Sequence, residues 1–103
     1  KGQVIKEPLE PEINIAVSAY ISDEYVQSIE QRLTIYRRLS QMTTIKEIAS
    51  MQKELIDRFG KLPEEAGNML LKIMLRVLSV MAGVKKLDLA NNSLSMVFSE
   101  KHQ

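Results

Sequence analysis

Cysteine is absent from these 103 residues, which excludes disulfides, thiolate nucleophiles and cysteine metal sites together. Histidine occurs once, at His102, next to the last residue of the sequence. A frayed, solvent-facing side chain is favoured there over a catalytic or ligand role. The four glycines, Gly2, Gly60, Gly67 and Gly83, are scattered, so none builds the clustered cradle that holds a nucleotide phosphate. No apolar run is long enough to span a bilayer, and no charged-then-apolar leader opens the sequence. A net charge of only +1 leaves nothing that demands a polyanion or an acidic membrane surface. The simplest expectation is a soluble, cytoplasmic domain with no membrane partner. The start at Lys1 adds the expectation of a fragment from something longer.

The residues that are present support one core. With 45% hydrophobic residues in this length, a single domain is expected and no second core. Residues 1 to 11 read as a linker, because Glu7-Pro8-Leu9-Glu10-Pro11 combines two prolines with charges and has no periodic apolar face. From Glu12 to Ser18 the pattern alternates, with Ile13, Ile15 and Val17 on one side, as in a half-buried strand. Ser22 or Asp23 is expected to cap a first helix, whose core stripe is Tyr25 or Val26, Ile29, Leu33, Tyr36 and Leu39.

A second helix opens at Thr44, where Thr44-Ile45-Lys46-Glu47 has the reciprocal capping-box spacing. Ile45, Ile48, Leu55, Ile56 and Phe59 make its expected buried face. The pairs Lys53 with Asp57 and Glu54 with Arg58 are four apart, and each would add roughly 0.2–0.5 kcal/mol if exposed. Gly60 then closes the helix in a left-handed conformation, and Pro63 suits the first turn of the next. That third helix, about Pro63 to Ala82, is apolar around most of its circumference. Glu65, Asn68, Lys72, Arg76 and Ser79 form a narrow polar strip expected to meet water, so the helix should be central or bury a second face. Gly83 provides the stop. Leu87 and Leu89, then Leu94, Met96 and Phe98, alternate on either side of Asn91-Asn92, which reads as a hairpin. The expected fold is α+β: an N-terminal strand, three helices with the third largely buried, and a C-terminal β-hairpin.

Catalytic chemistry finds no foothold in this pattern. Glu64 and Glu65 stand near a helix N-terminus, where the helix dipole favours negative charge, and that role outweighs acid-base catalysis. Asn91-Asn92-Ser93 matches a glycosylation pattern, but a turn is the better reading in a chain without a leader. The methionines of the third helix are read as core packing ahead of an adaptable partner groove. Arg32, Arg37 and Arg38 form the densest basic group. Tyr36 among them falls on the core stripe, so no exposed aromatic is left to stack on bases, and a solvated or protein-contact face is favoured over nucleic acid. Arg58 beside Asp57 most simply closes the helix corner, with a domain contact as the second role.

Several segments in order carry a family resemblance: Glu12-Ile13-Asn14-Ile15, Ala19-Tyr20-Ile21 with Tyr25, Arg32-Leu33 followed by Tyr36-Arg37-Arg38-Leu39, the corner Asp57-Arg58-Phe59-Gly60, Leu70-Leu71, and Gly83-Val84-Lys85-Lys86-Leu87. Over roughly residues 12 to 98 the chain resembles the C-terminal regulatory domain of the bacterial transcription-repair coupling factor family, DNA-translocating ATPases that link stalled RNA polymerase to excision repair. Ser22 departs from the pattern, since the family commonly has proline there. The resemblance implies a domain of residues 12–103 that follows a motor and tends to run on past Gln103. It implies a regulatory, non-catalytic role: docking on the N-terminal UvrB-like module of the same protein, masking the surface that recruits UvrA, and restraining the motor until RNA polymerase is engaged. ATP and magnesium would belong to the parent's motor, as would the contact with DNA, and this fragment would hold no cofactor. Arg32, Arg37, Arg38, Asp57 and Arg58 are the candidate docking residues. The alternative is a winged-helix-like nucleic-acid binder, which three helices followed by a hairpin superficially fit.

Overall fold

The computed structural model describes residues 10–90 and 93–98. Most of the expected linker, the Asn91-Asn92 turn, His102 and the end of the chain at Gln103 lie outside the described residues. The order of elements is β1 (Glu12–Ile15), α1 (Ile29–Ser40), α2 (Ile45–Phe59), α3 (Glu64–Ala82), β2 (Val84–Ala90) and β3 (Ser93–Phe98), which is the α+β arrangement expected.

The first helix begins later than its periodicity suggests. Ser22 closes a single turn, its Oγ accepting from the Tyr25 N–H at 3.2 Å and its carbonyl from the Val26 N–H at 3.0 Å. The helix proper is capped by Ser28, whose Oγ accepts from the Gln31 N–H. Counting one helical phase through this break misplaces the buried face. Ile29 and Leu33 are 62% and 53% exposed, whereas Ile35, which the stripe omitted, is buried beside Leu39 and Val26. Tyr36 is half-buried, and its hydroxyl accepts from the Ile21 N–H at 2.7 Å.

At Thr44 the capping box forms as the spacing requires. The Glu47 N–H donates to Thr44 Oγ1, and Glu47 Oε1 accepts from the backbone N–H groups of Thr43 and Thr44. Those donors favour the charged carboxylate and lower the Glu47 pKa. α2 buries Ile48, Met51 and Leu55. Ile45 and Ile56, expected inside, are exposed, and Phe59 is half-buried against the core. A buried face centred on Met51 leaves those two isoleucines at its margins. Gly60 ends the helix at φ 94° and ψ −167°, a positive φ open to glycine but outside the left-handed helical well expected. Pro63 is the N-cap of α3 and not its first helical residue, and Gly83 at φ 78°, ψ 22° supplies the left-handed stop.

α3 is central: it packs against α1, α2, β1 and β2. Ala66, Leu70, Ile73 and Val77 join the buried residues of α1 and α2 in one cluster. The polar strip is not fully open to water: Glu65, Asn68, Lys72 and Arg76 are half-buried. Asn68 donates to the Ser18 carbonyl at 2.8 Å, and Glu65 accepts from the Tyr20 hydroxyl at 3.3 Å. Arg76 donates to the carbonyls of Leu39, Ser40 and Met42 at 3.3, 3.1 and 2.6 Å. Ser79 is 2% exposed. On a helix wanted on several sides at once, polar side chains serve the backbone groups of the segments that cross it.

The sheet has the order β1-β2-β3. β1 runs parallel to β2, pairing Ile13 with Leu87 and Ile15 with Leu89, and β3 runs antiparallel, pairing Leu87 with Met96 and Leu89 with Leu94. Paired residues share a face, so these six make one apolar surface, while Asn14, Asp88 and Ser95 lie on the other. β1 is shorter than its alternation: Val17, expected inside, is 52% exposed.

Candidate docking surface

The short connection of residues 41 to 44 returns the chain from α1 into α2, so the basic end of α1 meets the middle of α2. Arg38 reaches across and grips Glu54 with two hydrogen bonds, Nη1 to Oε2 at 2.8 Å and Nη2 to Oε1 at 2.9 Å. Arg58, one turn further along α2, donates to the same Oε2 at 3.2 Å. Two guanidiniums share one carboxylate. The Arg38 hydrogen bonds, with smaller help from Arg58, hold the Glu54 pKa down at about 2. Arg58 also lies over the Phe59 ring at 4.9 Å from its centroid, and Phe59 meets Tyr25 at 5.7 Å. The Tyr25 hydroxyl in turn donates to the carbonyls of Leu55 and Gly60, which fixes the helix corner.

Of the five sequence-derived candidates, Arg38 and Arg58 are brought together. Asp57 is exposed on the same helix, and Arg37 is exposed beside Arg38. No ion pair is formed by Asp57 with Lys53 among the described residues. Arg32 is spent elsewhere, donating to the carbonyls of Val26 at 2.6 Å and Gln27 at 3.2 Å, so it pins the turn before α1. Glu54, the centre of the cluster, was visible in the sequence only as the helical partner of Arg58. Its second partner requires the α1–α2 hairpin.

An open depression of about 550 Å³ adjoins this cluster, lined by Arg38, Gln41, Met42, Thr44, Lys46, Glu47 and Ser50. It is an open surface of mixed polar and apolar character and has none of the enclosure of a small-molecule site. Among the described residues no group of three or more His, Cys, Asp or Glu could hold a metal ion, and no helix is long and apolar enough to cross a membrane. The winged-helix alternative needs a helix free to enter a groove. α3 offers no such face, because Arg76 is committed to three carbonyls and Lys72 is half-buried.

The TRCF domain family model matches residues 15–103. The chain belongs to the TRCF domain family. Proteins described as transcription-repair-coupling factor are similar to this TRCF domain. The one from Rickettsia conorii is 33% identical over 95 residues, covering 92% of this chain and 8% of that protein. The one from Myxococcus xanthus is 38% identical over 80 residues, 74% of this chain and 7% of that protein. The Bacillus subtilis protein is 30% identical over 102 residues, 98% of this chain and 9% of that protein. The TRCF domain thus spans less than a tenth of the length of these curated relatives. Its fold is also that of a crystal structure of the C-terminal domain of transcription-repair coupling factor. The TM-score is 0.79 and the identity 22%, over 92% of this chain and 60% of that one.

Proposed function

We propose that this TRCF domain is the autoinhibitory regulatory domain of a transcription-repair coupling factor, a DNA-translocating ATPase that couples stalled RNA polymerase to nucleotide excision repair. The observation that carries the reading is the family match over residues 15–103. The domain docks on the N-terminal UvrB-like module of the same protein, masks the surface that recruits UvrA, and restrains the motor until RNA polymerase is engaged. It contributes no catalytic step and no cofactor. ATP, magnesium and DNA are handled by the parent's motor, in the cytoplasm.

The geometry supports docking through charge. Arg38, Glu54 and Arg58 are held in fixed register across two helices, so a partner meets a preorganised surface with little side-chain ordering left to do. Exposed Arg37 and Asp57 flank that cluster. Tethering within one protein raises the effective concentration of such a contact, so a modest interface suffices, and a change of state elsewhere releases it.

The test compares the full-length parent with and without this domain. Deletion is expected to raise the DNA-stimulated ATPase rate and to expose UvrA binding. If both stay unchanged while DNA affinity falls, the regulatory reading is wrong and a nucleic-acid contact replaces it.

A further inference from the structure

The main buried cluster runs from Ile21 to Val77, and no residue of the sheet belongs to it. β2 is secured separately: its Val84 and Leu87 are buried, it packs on α3, and it pairs with β3. β1 is held more weakly. It has four residues, none of them buried, and joins β2 in parallel, the pairing that is less stable per residue. Its side-chain fastening is exposed, with Asn14 donating to Glu12 and to Asp88 of β2 at 3.1 and 2.7 Å. Beyond the strand the Ala16 N–H donates to the Leu89 carbonyl at 3.0 Å, and Val17 is exposed.

Just past Val17 the chain is clamped to the helices. Asn68 of α3 donates to the Ser18 carbonyl at 2.8 Å, and the Tyr20 N–H donates to the Glu65 carbonyl at 3.2 Å. The Tyr20 hydroxyl reaches the Glu65 carboxylate at 3.3 Å, and the Ile21 N–H reaches the Tyr36 hydroxyl at 2.7 Å. None of these four bonds, and none in the Arg38, Glu54 and Arg58 cluster, involves the sheet.

We propose that β1 is a detachable strand, which peels from β2 as a unit up to the clamp at Ser18 while the helical core stays folded. A segment with few buried contacts and solvent-exposed hydrogen bonds opens at a lower free energy than a packed core. Opening frees residues 12–17, which extend about 20 Å. That length joins the chain ahead of the domain and leaves the candidate docking surface in place, so the fold acts as a tether of two lengths. Its effect on docking rests on the function proposed above, since tether length sets effective concentration. The opening itself does not, and it is tested on this chain alone.

Amide hydrogen exchange of the 103-residue chain, followed by NMR at several low urea concentrations, provides the test. The reporters are Ala16, whose bond to Leu89 breaks on opening, Tyr20 at the clamp, and Leu70, Ile73 and Val77 in the core of α3. Ala16 is expected to be protected, but less than Tyr20 and the α3 amides. Its exchange is expected to rise with urea more shallowly than theirs, because opening exposes only part of the surface. Asn14→Ala is expected to speed exchange at Ala16 roughly fivefold and to leave Tyr20 and the α3 amides unchanged. An Ala16 amide that is unprotected or indifferent to urea overturns the proposal, because the strand is then unpaired or exchanges without opening. One that follows the α3 amides in both rate and urea dependence overturns it too, because β1 then leaves only with the whole fold. An effect of Asn14→Ala that is absent, or equal at every reporter, does the same.

Discussion

Arg38 of α1 and Glu54 of α2 form a two-pronged bridge, with both guanidinium nitrogens on the two carboxylate oxygens at 2.8 and 2.9 Å. It ties the end of α1 to the middle of α2, and Arg58 adds a second cation to the same oxygen. The bridge is half-open to solvent, with 43% of the Arg38 side chain and 33% of Glu54 exposed. Its contribution is therefore about 1 kcal/mol, well under what the displaced carboxyl pKa would imply without solvent screening.

The bridge gives stability a defined pH dependence. The Glu54 carboxyl lies at about 2 in the folded chain against an ordinary value of 4.5. A pKa depressed by folding means that the stabilisation is present above the unfolded value and is lost as pH falls from about 5 toward 2. Glu54→Gln is expected to unfold at a lower temperature than wild type at pH 7, with the gap shrinking steadily as pH drops through that window. Melting curves of both proteins at several pH values measure it, and a gap that is constant with pH would rule out Glu54 as its source.

Ser79 is buried, and its hydroxyl has no hydrogen-bond partner among the described residues. Removing a desolvated, unmatched polar group relieves its burial penalty, and alanine is the better helix former. Ser79→Ala is expected to leave stability unchanged or raise it by up to about 1 kcal/mol, read from urea unfolding. A loss of more than about 1 kcal/mol would mean that the hydroxyl is bonded after all.

Arg76 works in the opposite sense. It gathers the carbonyls of Leu39, Ser40 and Met42 at and just beyond the end of α1. Arg76→Met keeps much of the aliphatic stem and removes the donors, so it is expected to destabilise by about 1–3 kcal/mol through the lost hydrogen bonds to these carbonyls. Urea unfolding at neutral pH would show this, whereas a change at Lys46, exposed on α2, would not.

These contrasts mark what the sequence could and could not convey. The capping box at Thr44, the Gly83 stop and the three-helix, hairpin order were legible because each is written in local spacing. The polar strip of α3 was misread. Periodicity says that polar residues share a face, but only the tertiary arrangement says whether that face meets water or the backbone of a crossing segment. The phase of α1 failed for a local reason, since the Ser22 turn interrupts the helix while the apolar spacing continues through it. Of the candidate docking residues, Arg37, Arg38, Asp57 and Arg58 are exposed on α1 and α2. Arg32, also on α1, is half-buried and donates to two carbonyls, because guanidinium chemistry suits carbonyls as well as partners. Glu54 as a bridge centre needed the hairpin geometry.

Phe59 shows how burial sets a magnitude. Full burial would make Phe59→Ala cost about 3–5 kcal/mol, but Phe59 is only half-buried, packed on Tyr25 and under Arg58. The expected loss is about 2 kcal/mol, part of it from the aromatic pair. Thermal unfolding of Phe59→Ala beside Tyr25→Phe separates ring packing from the hydroxyl bonds to Leu55 and Gly60.

Charge reversal on α1 separates docking from folding. Reversing Arg38 sets a carboxylate against Glu54, so a docking defect in that variant would be confounded by a weakened helix pair. Arg37 is the clean probe: it is exposed and forms no ion pair among the described residues. Arg37→Glu is expected to melt within about 0.5 kcal/mol of wild type, as exposed substitutions do. If α1 faces the N-terminal module, the same variant should weaken docking of the separate domain on that module several-fold, with the difference growing as salt is lowered. Titrating the labelled domain with the isolated module at two ionic strengths measures both. Unchanged affinity at low salt with a normally folded variant would remove Arg37 from the interface and move the search to Asp57 on α2.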